Sequence, residues 1–193
     1  MTTTSYNLSQ KQNNHRVSPK KLAFAAAGAV LLAICSWINI PTTVPFTLQT
    51  FGVFLLLMLL GGKMATLSIL VYILLGALGV PVFAGFSGGL GILFGSTGGY
   101  IMGFLLMGGL YIFLVPENCK DLKREVAVLL LGLFVCYLFG TFWFMFVYTK
   151  ANGAVGFTAV LSWCVIQFII PDLVKMVLAV VIAGRLKPVL VKL

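Results

Sequence analysis

Charge is scarce in this chain, and negative charge is scarcer still. Only 9% of its 193 residues are charged, four of them acidic, and there is one histidine. A soluble domain carries about 25% charged residues, so the chain is not expected to fold in water. Glu117, Asp121 and Glu125 share one segment with Lys120, Lys123 and Arg124, which reads as a solvated face rather than a catalytic pair of carboxylates. His15 lies in a polar stretch, and neither an H-E-x-x-H motif nor a Gly-Lys-Ser/Thr phosphate loop occurs. The chain is therefore expected to be no enzyme and unable to drive transport with ATP by itself. Cys35, Cys136 and Cys164 sit in apolar runs and Cys119 in a connection, none with metal-ligand spacing. They are expected to be small packing residues, and no metal or cofactor is expected.

Long apolar runs take the place of charge. The chain is 61% hydrophobic with a mean hydropathy of +1.10. Runs fall at 22–40, 48–61, 64–80, 97–115, 126–149 and 160–184. A membrane span takes about 20 residues, with a range of about 17–25, so 48–61 is short and must borrow its flanks. The runs are continuous rather than alternating, which argues against strands. The expectation is an all-α integral membrane protein, a compact bundle of six transmembrane helices over 22–193 behind a polar tail, 1–21. The first run is longer than the roughly 7–15 residues of a signal-peptide core, which argues against cleavage.

The net charge of +9 follows the membrane and not a nucleic acid. Lys11, Arg16, Lys20, Lys21, Lys63, Lys120, Lys123, Arg124, Arg185, Lys187 and Lys192 fall in the tails and alternate connections. The opposite connections, 41–47, 81–96 and 150–159, hold only Lys150. This positive-inside pattern points both termini to the cytoplasm.

One apolar stretch breaks its own rule. Leu161 to Ala183 contains Asp172 and Lys175, an i, i+3 pair on one helix face just after Pro171. Each charge alone costs about 2.5–3.5 kcal/mol at the middle of a membrane helix on insertion scales. The pair reads either as a self-neutralising lock for helix packing or as a polar substrate contact in a dry pocket, and the second reading leads.

Three further segments are informative. The stretch 76–103 holds ten glycines in 28 residues and no charge. Its broken part, with Pro81, Gly85, Gly88 and Gly89, reads either as a plain connector or as a pocket lid whose backbone can approach a ligand closely, and the lid reading leads. Gly91, Gly95, Gly99 and Gly103 recur every four residues, as in a helix-packing stripe. The connection at 40–50 is stiffened by Pro41 and Pro45 and presents Thr47, Gln49 and Thr50, where Gln49 can donate and accept. In the first helix, Ala23, Ala25, Ala27, Ala29 and Ala33 form small-residue spacings that suit close helix contact, with the chain's own bundle or with a separate membrane subunit.

Together VPFTLQT at 44–50, GALGVPVFAGFSGGLGILFGSTGGY at 76–100 and PDLVK at 171–175 resemble the BioY family, the biotin-specific substrate-binding (S) subunits of energy-coupling-factor transporters. The resemblance covers nearly the whole chain. It implies a multi-pass protein of a prokaryotic plasma membrane that captures biotin as a transported ligand. It also implies uptake energised by a transmembrane T subunit and two cytoplasmic ABC-type ATPases, with the alanine face of helix one meeting the T subunit. Asp172 and Lys175 would then hold the polar end of biotin. Gln49, Phe83, Ser87, Gly88, Gly89, Tyr100 and Trp163 are expected around it, with Phe86 a further candidate wall. The family often has Pro where Ser96 stands, and 97–104 offers no basic residue for the vitamin carboxylate. That group is left to water, to Lys150 or to backbone N–H groups. The readings that compete are an S subunit for another vitamin and a secondary transporter using Asp172 as a proton relay.

Overall fold

Alanine-rich sequence and a proline at the first position start helix α1, Pro19–Trp37, since Ala is the strongest helix former and Pro suits the first turn. The computed structural model describes residues 19–42, 44–117, 119, 121–153 and 155–190. Most of the polar tail, with His15, lies outside them. After α1, β1 (Asn39–Ile40) pairs antiparallel with β2 (Phe46–Thr47), Asn39 opposite Thr47 and Ile40 opposite Phe46. Two-residue strands carry no alternation, so hydropathy did not announce this ribbon.

Helix α2, Gln49–Ala77, is broken at Gly61, whose φ of 73° and ψ of 168° are not helical. The break reverses the chain. A straight helix would hold Gln49 and Tyr72 about 34 Å apart at about 1.5 Å per residue, yet the Gln49 amide donates to the Tyr72 hydroxyl. Segments 49–60 and 62–77 therefore lie side by side. A 3₁₀ turn (Ala84–Phe86) and α3 (Leu90–Leu93) follow, then α4 (Gly98–Leu114) and α5 (Leu122–Asn152). Asp121 caps α5 by accepting from the Lys123 N–H at 3.0 Å, and Lys150 sits in its last turn, where a cation suits the helix dipole. Helix α6 (Phe157–Leu161) passes through a π turn (Ser162–Ile166) into α7 (Gln167–Leu190).

Four of these stretches are long and apolar enough to cross a membrane: Pro19–Trp37, Gln49–Ala77, Leu122–Asn152 and Phe157–Pro188. Gly98–Leu114 is apolar but shorter. Helix α2 is the hub, packing on α1, α4 and α7, while α4 packs on α5. Glycine makes the last contact close. A Cβ at Gly103 would meet the Cys136 sulfur at 2.7 Å, and one at Gly99 would run into Trp143. Only this end of the four-residue glycine stripe packs between helices. Gly91 faces open space, and Gly95 uses its carbonyl to accept from Trp143 Nε1 at 2.9 Å.

The alanine face of α1 divides. Ala25, Ala29 and Ala33 are buried in the chain's own core, whereas Ala23 and Ala27 face outward. At one end of the molecule Lys21, Lys63, Glu117, Glu125 and Lys187 surround a cavity of about 830 Å³, so both described chain ends lie there. Lys63 and Glu117 meet at 2.8 Å on the exposed rim. The hydrogen bond to Lys63 holds the Glu117 carboxyl below its ordinary value.

Candidate functional site

The far end of the molecule holds the buried charges Asp172 and Lys175. Helix α7 and its approach bury one stripe, Val160, Cys164, Phe168, Asp172, Lys175, Met176 and Ala179, and leave the intervening side chains outward. The spacing is four residues until Asp172, then three and one, as a 3.6-residue period requires. Asp172 is 2% exposed and Lys175 5%.

Neither charge is left bare. Lys175 Nζ donates to Asp172 Oδ1 at 2.8 Å, to the Thr47 carbonyl at 2.7 Å and to Thr50 Oγ1 at 3.3 Å. It also stands 4.1 Å from the Phe46 ring centroid, a cation–π distance. The Thr50 hydroxyl donates to Asp172 Oδ1 at 2.8 Å, and the Tyr137 hydroxyl donates to Oδ2 at 2.6 Å. A buried ion pair survives only when further hydrogen bonds satisfy its remaining lone pairs and protons. Here β2, the top of α2, and α5 supply them. Gln49 belongs to an adjoining chain: Thr47 Oγ1 donates to Gln49 Oε1 at 3.1 Å, while its amide nitrogen serves Tyr72.

Two cavities open on these groups. The first, about 60 Å³, is lined by Thr50, Phe104, Cys136, Tyr137, Cys164, Phe168, Asp172 and Lys175. The second, about 170 Å³, is lined by Phe83, Ala84, Ser87, Ile92, Thr97 and Ile101. Val44, Pro45, Thr47, Gln49 and Tyr100 line both and join them.

Of the residues expected from sequence, Asp172, Lys175, Gln49 and Tyr100 thus meet at the first cavity, and Phe83 and Ser87 at the second. Gly88 and Gly89 line neither. A side chain at Gly88 would strike the Val80 carbonyl, and Gly89 N–H donates to the Gly76 carbonyl at 2.6 Å, so both fold the segment rather than face the pocket. Trp163 is a correction. It is 36% exposed and meets Tyr148 edge-on at 6.1 Å, outside both cavities, because Cys164 takes the inward position. Phe86 is exposed too, stacked on Trp37 at 5.0 Å. Lys150 holds its ammonium 4.2 Å from the Phe146 ring and lines neither cavity.

Sequence reasoning missed Tyr137, Thr50 as a ligand of the pair, Phe46 and Phe168. A phenol in the middle of an apolar run was the available signal for Tyr137. Gly85-Phe86-Ser87-Gly88-Gly89 has the letters of a G-x-S-x-G nucleophile elbow, but no strand leads into it and Ser87 Oγ donates to the Ala84 carbonyl at 2.8 Å. Among the described residues, no group of three or more His, Cys, Asp and Glu could hold a metal. The site can offer an acceptor and a donor side by side, without net charge, to a ligand that presents both.

Known proteins resemble the chain over most of its length. The family model described as the BioY family matches residues 9–192. The biotin transporter BioY of Thermotoga maritima is 41% identical over 171 residues, covering 87% of this chain and 96% of that protein. The probable biotin transporter BioY of Pyrococcus horikoshii is 40% identical over 169 residues, covering 87% and 96%. Biotin transporter BioY2 of Lactococcus lactis subsp. cremoris is 32% identical over 165 residues, covering 83% and 86%. A solved structure, the S-component for biotin from an ECF-type ABC transporter, superposes with a TM-score of 0.75 at 28% identity, covering 88% of this chain and 91% of that one.

Proposed function

The chain belongs to the BioY family, and from that premise we propose that it is the membrane subunit that captures biotin with high affinity for uptake, a transport component and not an enzyme. The observation that carries the reading is the Asp172–Lys175 pair, buried at 2.8 Å and opening on a cavity. The ureido ring of biotin presents two N–H donors and one carbonyl acceptor. A carboxylate accepts the former and an ammonium donates to the latter, in surroundings where charge-assisted bonds run about twice the strength of neutral ones. Phe104, Phe168, Tyr100 and Phe83 supply apolar walls for the bicyclic rings.

In this reading the helical stretches 19–37, 49–60, 62–77, 98–114, 122–152 and 157–190 are six crossings of a prokaryotic plasma membrane. The end bearing Lys21, Lys63 and Lys187 faces the cytoplasm with both termini, and the biotin site opens to the outer side. Uptake is energised by a transmembrane T subunit and two cytoplasmic ABC-type ATPases. The outward Ala23 and Ala27 on α1 are the small residues available to that T subunit, since Ala25, Ala29 and Ala33 are spent inside the chain.

Titration of the purified protein with labelled biotin tests the reading. Saturable binding well below micromolar is expected, and none at micromolar biotin would overturn it. Uptake that follows the proton gradient without any ATPase would instead favour Asp172 as a proton relay.

A further inference from the structure

The polar groups of the two cavities are unevenly divided. The first holds both ionic side chains, Asp172 and Lys175, which cancel. Among the described residues, the second, larger one has no charged side chain in its lining. The only basic residue expected on that side, Lys150, is held over Phe146 away from both. Positions 43 and 154 are Thr and Ala, so neither brings a charge.

A carboxylate has two places to go, and the first is unfavourable. At the ion pair it would meet the negative Asp172 as closely as the positive Lys175, so repulsion from one offsets attraction to the other, a penalty that a neutral ureido ring does not meet. A ligand with its ureido ring on the pair extends past Thr47, Gln49 and Tyr100 into the second cavity. There Ser87 and Thr97 are the neutral hydroxyls, and the Thr97 side chain makes no capping bond at the start of α4. The nearby N-terminus of α4 favours an anion, but such a dipole is worth at most about thirtyfold in affinity even when partly buried.

We propose that the second cavity is the subsite for the carboxyl end of the ligand and that it recognises this end without a cation. The chain therefore accepts biotin whose carboxyl group is capped as an amide or ester. This inference rests on the proposed function, because it takes the ureido ring to sit on Asp172 and Lys175.

The test is a competition titration on the purified full chain with biotin, biotin carboxamide and biotin methyl ester. Both neutral derivatives should bind within about thirtyfold of biotin, the limit set by a dipole without a paired charge. The Thr97→Asp variant keeps a good capping residue, with Thr97→Asn as the uncharged control of similar shape. Thr97→Asp should weaken biotin by about tenfold or more relative to the carboxamide, through like-charge repulsion. Lys150→Gln should leave biotin affinity unchanged. Tight biotin binding with a carboxamide weaker by about a hundredfold, the signature of a lost buried charge pair, would overturn this inference alone. Equal loss of acid and amide in Thr97→Asp, or a selective loss of the acid in Lys150→Gln, would also overturn it. Absence of any saturable biotin binding would overturn the proposed function and the inference together.

Discussion

The Tyr137 hydroxyl donates to Asp172 Oδ2 at 2.6 Å, bringing together residues 35 positions apart on α5 and α7. The other carboxylate oxygen accepts from Thr50 on α2 and Lys175 on α7. One buried carboxylate thus ties three helices and leaves its geometry little freedom. A hydrogen bond to a charged group is worth about 1.5–3 kcal/mol. Tyr137→Phe should accordingly lower the melting temperature and, by freeing the carboxylate to reorient, weaken biotin binding by at least about tenfold. Unaltered affinity by titration would make Tyr137 a packing residue only.

Asp172→Asn and Lys175→Met should each abolish measurable binding and destabilise the fold. Removing one partner strands the other in apolar surroundings, which typically costs about 3–5 kcal/mol. The double variant should recover thermal stability without recovering biotin binding. If it folds and binds like the parent, the pair serves packing and not capture.

Gly140 on α5 lies directly against the Tyr100 ring, which lines both cavities. A methyl at 140 must push that ring toward the ligand space. Gly140→Ala should therefore lower biotin affinity more than it lowers stability, and Gly140→Ala with Tyr100→Phe should not restore it, since the ring and not the hydroxyl is displaced. Full affinity in Gly140→Ala by titration would mean the ring moves elsewhere.

The two alanine registers of α1 should behave differently. Ala29 is 2% exposed inside the core, so Ala29→Trp should prevent folding by overpacking. Ala27 faces outward, so Ala27→Trp should preserve biotin binding by the isolated subunit while uptake and co-purification of the T subunit fall together. Intact partner capture by Ala27→Trp would remove that face from the interface.

Gly61 turns the chain between the paired segments of α2 with φ 73° and ψ 168°, a region essentially reserved for glycine. Gly61→Ala should lose about 1–3 kcal/mol of stability. The loss should appear as a lower melting temperature in detergent, with biotin affinity largely kept because the turn lies at the opposite end from Asp172. An unchanged melting temperature would show that the turn relaxes freely.

Hydropathy alone delimited the apolar stretches, because insertion into a membrane depends on the summed character of a local window. Asp172 and Lys175 were legible for the same reason: a charge that is costly locally stands out locally, and their three-residue spacing guarantees a shared face. The outward position of Trp163 was not legible because a 23-residue window does not reveal which neighbour turns inward, and the π turn at Ser162–Ile166 directs Cys164 to the cavity. The reversal at Gly61 was equally invisible, since one glycine between apolar runs fits a bend or a hairpin alike. The hydroxyls that complete the site lie 122 and 35 residues from Asp172. Their convergence follows from how α2, α5 and α7 rotate about their axes to pack, and such rotation is decided by close contacts such as Gly103 on Cys136 rather than by any property of the segments taken singly. Sequence thus determined which segments leave water and which charges they carry. Packing decided what those charges meet.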